Sequence, residues 1–296
     1  MKRDSSPALV MLIAAVVIWG TLGVFRRYLP LSSGLLACVR GAVGSACLLV
    51  WLGLRRKRGQ WAFPPKVWAL LLFSGALIGV NWMLLFEAYS YTTVATATLC
   101  YYMAPVLVIL ASPLLLRESL PLRKVLCVAV ALAGMVCVSG VADNGLPAPG
   151  EAKGIAYGLA AAVLYASVVM LNKKIEGVGA YEKTILQLGS AAVVLIPYLA
   201  VTEDFSALAL TPFAVGMLLI VGVVHTGVAY ALYFGSMDGL RAQTVALFSY
   251  IDPVTAIVLS ALLLHERMTP FGVLGAVLVL GSTIVSEVWT PKEKTE

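Results

Sequence analysis

Apolar residues run along this chain in stretches of about twenty, the length a helix needs to cross the hydrocarbon core of a bilayer. Ten such stretches are separated by short polar connections: 8–27, 33–54, 66–88, 93–116, 121–140, 154–172, 182–201, 212–235, 241–264 and 270–289. The pattern predicts an all-α polytopic membrane protein with ten transmembrane helices. The connections at 89–92 and 236–240 are tight enough to make their flanking helices antiparallel neighbours. Pro121 and Pro270 open the fifth and tenth spans, where a missing N–H costs little. The polar stretch VADNGLPAPGEAK at 141–153 reads as a joint. It divides the chain into 1–145 and 146–296, five spans each, within one integral membrane domain.

The two halves repeat. Residues 79–118 align without a gap on 227–266, and the identities include Gly79/Gly227, Phe86/Phe234, Thr96/Thr244, Tyr102/Tyr250, Pro105/Pro253, Ser112/Ser260 and Glu118/Glu266. Shared apolar composition does not explain paired Pro, Gly, Tyr and Glu, so the chain reads as a duplication. Five spans is an odd number, so the second copy enters the membrane upside down. Inverted repeats are an architecture of secondary transporters, with the substrate site near the midplane where the halves meet.

Composition narrows the class further. The chain is 60% hydrophobic and 12% charged, against about 25% charged in soluble domains. Its net charge of +6 does not indicate nucleic acid, because the cations sit in short loops rather than on one face. The five cysteines all lie in apolar runs without a CxxC, which argues against a disulfide framework or a metal site and for small apolar packers. The apolar run after Met1-Lys2-Arg3 continues to Phe25 without a small-x-small cleavage site and reads as a retained first span. There is no GxxxxGK[ST] and no HExxH, so neither an ATP-driven pump nor a zinc enzyme is indicated. No cofactor and no metal are expected.

The half-motif carried by Phe86, Ala95, Pro105, Glu118, Gly134 and Gly140, and again by Phe234, Pro253, Glu266, Gly275 and Gly281, resembles the EamA domain of the drug/metabolite transporter superfamily. Trp19-Gly20 and Arg40 also suit that family. The resemblance covers nearly the whole chain. It implies a ten-helix carrier and leaves the cargo open among amino acids, metabolites, nucleotide sugars and drugs.

Ionisable groups within a span need a reason to be there. His225 and Asp252 fall near the middle of consecutive antiparallel spans, and their repeat partners are the apolar Leu77 and Ala104. Asp252 precedes Pro253, which frees the carbonyl of Ser249. The pair is expected within side-chain reach, either exchanging a proton or fixing two helices by a structural hydrogen bond. Arg40 and Glu87 lie at depths that permit an outer salt bridge; Arg40 could instead meet a substrate carboxylate, and both could snorkel to the interface. Trp19, Tyr101, Tyr102, Tyr165, Tyr230, Tyr233 and Tyr250 put aromatic rings at depth, as cavity lining or as helix packing. Trp19, Tyr102, Tyr250 and Arg40 are expected to share a central pocket, with Asn81, Gln187 and Ser249 as further polar candidates. Glu118 and Glu266 read as structural, capping a helix or holding a loop.

The resulting expectation is a non-enzymatic secondary transporter in the cytoplasmic membrane. It would export a small amino acid-like or drug-like metabolite by alternating access, with or without proton coupling. The alternatives are an intramembrane lipid-processing enzyme and a facilitator of nucleotide sugars or other metabolites. Its partners would be the substrate and the bilayer, not nucleic acid; a monomer suffices, and a homodimer is compatible. Of 21 Lys and Arg residues, only Arg26, Arg27, Lys153 and Arg267 fall on the side opposite the N-terminus, with Arg40 inside a span. The positive-inside rule then puts both termini in the cytoplasm. Reporter fusions after Gly59 and at the C-terminus should both read cytoplasmic; a periplasmic signal at either reverses the orientation.

Overall fold

In the computed structural model of the chain, residues 6–54, 61–115, 122–138, 147–205, 211–237, 239–240 and 242–288 are described. Glu118, Pro121, Gly140, most of the linker and the basic segments at 1–5 and 55–60 lie outside them. The described residues form ten helical spans. Span 1 is Ser6–Gly20 with Leu22–Tyr28, span 2 Ser33–Leu54, span 3 Pro65–Tyr91, span 4 Val94–Tyr101 with Ala104–Leu115, and span 5 Leu122–Val138. Span 6 is Pro149–Asn172, span 7 Ala180–Thr202, span 8 Pro212–Met237, span 9 Ala242–Ser249 with Ile251–Leu263, and span 10 Pro270–Val288. Span 6 begins five residues earlier than the hydropathy pattern predicts. Pro149 at the first helical position and Glu151 in the first turn suit a helix start, so a stretch that looks like linker is helix.

Packing follows the duplication. Span 3 lies against spans 6 and 7, and its twin, span 8, lies against spans 1 and 2. Span 4 touches span 6 as span 9 touches span 1. The pairs 2–7, 4–9 and 5–10 join equivalent helices of the two repeats. Such a contact pattern is what a two-fold relation between five-helix repeats produces, and the odd span count makes the repeats inverted.

The surface is apolar where a soluble protein would be polar: Val10, Leu122 and Val201 are 65%, 74% and 87% exposed. That suits a hydrocarbon surround, in which burial of grease no longer drives helices together and close packing of small residues does. The repeated glycines show it. A Cβ on Gly79 would stand 2.6 Å from the Ala191 carbonyl of span 7, and one on Gly227 would stand 2.5 Å from Cys47 Cβ of span 2. Twin glycines therefore let each third helix of a repeat approach the other repeat's second helix. Buried polar side chains add hydrogen bonds across the same seams. Gln187 donates to Ser74 and to Asn172, both at 2.7 Å, tying spans 3, 6 and 7.

Spans 1, 4, 8 and 9 are interrupted. Spans 4 and 9 break at the twin residues Tyr102 and Tyr250, three positions before Pro105 and Pro253. Proline supplies no N–H and crowds the carbonyl four residues back, so the backbone must loosen one turn before it. Span 1 turns at Thr21, whose hydroxyl donates to the Ile18 carbonyl at 2.7 Å. Span 8 widens into a π-helix over Ile220–Val228, a feature frequent at functional sites.

Gly79→Ala should destabilise the protein by about 1–3 kcal/mol, because the backbone oxygen it meets cannot yield like a side chain. Gly216→Ala, where a Cβ meets open space, should be neutral or slightly stabilising. Thermal unfolding in detergent micelles measures both.

Candidate substrate-binding site

The four interruptions converge on the polar residues of the core. Arg40, on span 2, is 5% exposed. Its guanidinium lies over Trp82 at 3.9 Å from the ring centroid and near Phe86 at 5.8 Å, a cation–π arrangement strengthened by desolvation. Nε donates to Thr226 Oγ1 at 3.0 Å. Thr226 in turn donates to the Val221 carbonyl five residues back, so its lone pairs are left for Arg40. Among the described residues no carboxylate pairs with Arg40, and Nε is its one hydrogen-bonded nitrogen. A buried cation ordinarily has a counterion; here the Nη atoms keep their donors.

Asp252 sits in the first turn of Ile251–Leu263, where the helix dipole favours an anion. Its Oδ2 accepts from the Tyr102 hydroxyl at 2.9 Å, which joins the two broken helices across the repeats. Tyr102 and Tyr250 lie with centroids 6.3 Å apart. Tyr101 packs on Tyr102 and on Tyr165. Arg40 is within electrostatic reach of Asp252, Tyr101 and Tyr230, so one cation, one carboxylate and a set of phenols face a common region. Tyr101, Tyr102, Tyr230, Tyr250 and Asp252 are all only partly buried.

His225 belongs to a neighbouring cluster. Trp19 Nε1 donates to its backbone carbonyl at 2.9 Å, and Thr21 Oγ1 lies 2.7 Å from its Nε2. Phe25 meets the ring edge-on at 4.6 Å, and Nδ1 is 3.4 Å from the Ile220 carbonyl. Trp19 also packs against Tyr230 and Tyr233 at 5.0 and 5.1 Å.

Two expected pairings are not made. His225 and Asp252 share no hydrogen bond or ion pair, because span 1 is wedged between their helices. Trp19 and Thr21 take up His225, while a Cβ on Gly20 would stand 2.7 Å from the Asp252 carbonyl. Arg40 and Glu87 are not paired either. Glu87 accepts from Ser33 at 2.7 Å, and Ser33 is seven residues before Arg40 on the same helix, about 10 Å away along its axis. Of the further polar candidates, Asn81 donates to the Ala161 carbonyl of span 6, and Ser249 donates to Val245 within its own helix. The first bond joins spans 3 and 6, and the second stays within span 9. The sequence reading missed Thr21, Phe25, Trp82 and Thr226. Trp82 was findable as the repeat partner of Tyr230; a threonine in a π-turn has no such signal.

The side of the molecule that carries the ends of spans 1, 3, 7 and 9 is tied across. Glu266 pairs with Arg27 at 2.8 Å through Oε1, while Oε2 accepts from the Val94 N–H at 2.8 Å and the Ser260 hydroxyl at 2.5 Å. Arg27 also donates to the Thr92 carbonyl. Glu266 thus caps the first half of span 4, which belongs to the other repeat. His265, with a φ of 55°, makes the left-handed turn that ends span 9 and aims Glu266 there. Arg26 donates to Ser33 and Ser90, and Ser32 donates to Glu203 at 2.6 Å.

A polar, aromatic-lined centre held between two inverted five-helix repeats defines a membrane transporter of the drug/metabolite type. The chain belongs to the EamA-like transporter family, whose sequence profile matches residues 6–140 and again 152–287. It is 28% identical over 290 residues to the uncharacterized transporter YxxF of Bacillus subtilis, covering 97% of this chain and 91% of that one. Protein PecM of Dickeya dadantii is 28% identical over 278 residues, with 92% and 89% covered. Protein RarD of Escherichia coli is 25% identical over 276 residues, with 90% and 88% covered. A solved crystal structure superposes with a TM-score of 0.66 at 22% identity, over 96% of this chain and 98% of its own, which supports the fold.

Glu266→Ala should cost about 1–3 kcal/mol, since it leaves the Val94 N–H without its acceptor. Glu266→Gln should cost less, because an amide oxygen still accepts. The difference isolates the ion pair with Arg27, which is a third exposed and so worth about 1 kcal/mol at most. Thermal unfolding of the two variants in detergent measures it.

Proposed function

We propose that this transporter exports a small zwitterionic, amino acid-like metabolite across the cytoplasmic membrane by alternating access. The observation that carries the reading is Arg40: a buried guanidinium stacked on Trp82, without a carboxylate, facing the same region as Asp252. The free Nη donors suit a substrate carboxylate, which a guanidinium grips bidentately. Asp252, steadied by Tyr102, suits a substrate ammonium. The tyrosines between them offer apolar faces with polar tips. Alternating access is supported by the inverted repeats and the mid-span breaks, which are the parts of a helix that bend at low cost. In the present conformation the contacts of Arg27, Glu266, Ser32 and Glu203 close one side, and opening there requires them to separate.

Proton coupling does not need a direct His225–Asp252 contact. A carboxyl that is protonated when the site is empty and ionised beside a substrate ammonium couples the two by competition. The absence of a nucleophile–base pair among these residues gives the lipid-processing alternative no comparable support.

The test is flux into proteoliposomes containing only this protein. Amino acids should be compared with the corresponding amines, which lack the carboxylate. Arg40→Ala should lower amino acid flux about tenfold or more at subsaturating substrate, matching the loss of a charged hydrogen bond worth roughly 1.5–3 kcal/mol, and should abolish the preference over the amine. Asp252→Asn should lose the dependence on the amino group and flatten the pH profile. Undiminished flux in Arg40→Ala removes Arg40 from the site; product formation without flux favours the enzyme.

A further inference from the structure

Spans 5 and 10 cross tightly at one end and part at the other. A Cβ on Gly275 would stand 2.5 Å from the Gly134 carbonyl, so these backbones touch. Toward the start of span 5 and the end of span 10 the helices leave a groove of about 520 Å³. That volume lies within the range of ligand clefts, about 300–1,000 Å³. Its walls are the stripe Leu122, Leu126 and Val130 on span 5 and Val277, Gly281 and Val285 on span 10. A Cβ on Gly281 would meet nothing within 4 Å, so the hollow is real at that point.

The mouth is charged. Arg123 lines the groove in the first turn of span 5, and Lys124 follows it. Arg123 Nε is buried and has no hydrogen-bond partner among the described residues. An unmet buried donor on a guanidinium calls for an anionic acceptor. Among the described residues, the groove's lining contains no acidic side chain. A second copy docking through the same face would bring another Arg123 and, among the described residues, no counterion, since a two-fold contact presents identical patches. This end of span 10 runs toward the C-terminus, on the side of the membrane that carries most of the loop cations.

We propose that the groove between spans 5 and 10 binds an anionic phospholipid, with an acyl chain along the apolar stripe and the phosphate on Arg123. The apolar walls take the chain, and the Arg123 guanidinium takes the phosphate and selects a negative headgroup over a zwitterionic one. The site is separate from the Arg40 region and does not depend on what the transporter carries.

The experiment is native mass spectrometry of the full chain released from detergent after incubation with phosphatidylglycerol or phosphatidylcholine of matched acyl chains. The wild type should retain one phosphatidylglycerol with about fivefold preference, as roughly 1 kcal/mol per cation near an anionic lipid implies. Arg123→Gln should retain both lipids equally. Gly281→Leu fills the hollow without a clash and should lower retention of both while leaving the fold intact. Equal retention of the two lipids by the wild type, or an undiminished preference in Arg123→Gln, overturns the proposal. So does a dimer cross-linked through Cys127, which lines the same groove.

Discussion

A polar group inside the bilayer has no water to fall back on, and the rest of this structure answers to that constraint. Where a helix breaks, its freed groups must be met by something nearby. Thr21 closes its turn with its own hydroxyl, which also meets Nε2 of His225 on span 8. Tyr102 spends its hydroxyl on Asp252. Trp19 reaches the carbonyl of His225 inside the π-helix. Each interruption is thus paired with a side chain from another span, and the spans so joined surround one region.

Arg40 is the exception, and the proposed substrate site rests on it. It has an aromatic floor and one hydroxyl partner, with no counterion among the described residues. Leaving a buried cation underpaired costs stability. Proteins hold such a cost at sites where a ligand completes the set. Contrast the Glu266 carboxylate, whose oxygens are taken by Arg27, Val94 and Ser260. One charge is complete and holds the repeats together; the other is incomplete and faces the centre.

The duplication accounts for the division of labour. Twin features, such as Gly79/Gly227 and Tyr102/Tyr250, set close approach and helix breaks in both halves. The residues that break the symmetry carry the polarity: Arg40 against Leu188, His225 against Leu77, Asp252 against Ala104. Two equivalent scaffolds can exchange conformations, and in the proposed mechanism a single asymmetric set of charges selects what moves between them.

The sequence by itself determined the ten spans, the doubling, the inversion and the family. The first three follow from apolar run length, gapless self-similarity and an odd span count, and the family from the resemblance of the motif repeated in both halves, all linear properties of the chain. It also singled out the buried ionisable residues, because any charge in an apolar run stands out. Partners were a different matter. His225 and Asp252 look adjacent by span order, yet span 1 lies between them, and only packing decides what fills the space between two helices. Arg40 and Glu87 both lie toward one end of their spans, but seven residues of helix separate Arg40 from the serine that Glu87 actually meets. Thr226 was invisible, because a π-turn depends on tertiary fit rather than on local propensity. Periodicity fixes which face and roughly what depth a residue occupies; the angles at which helices cross decide what it touches.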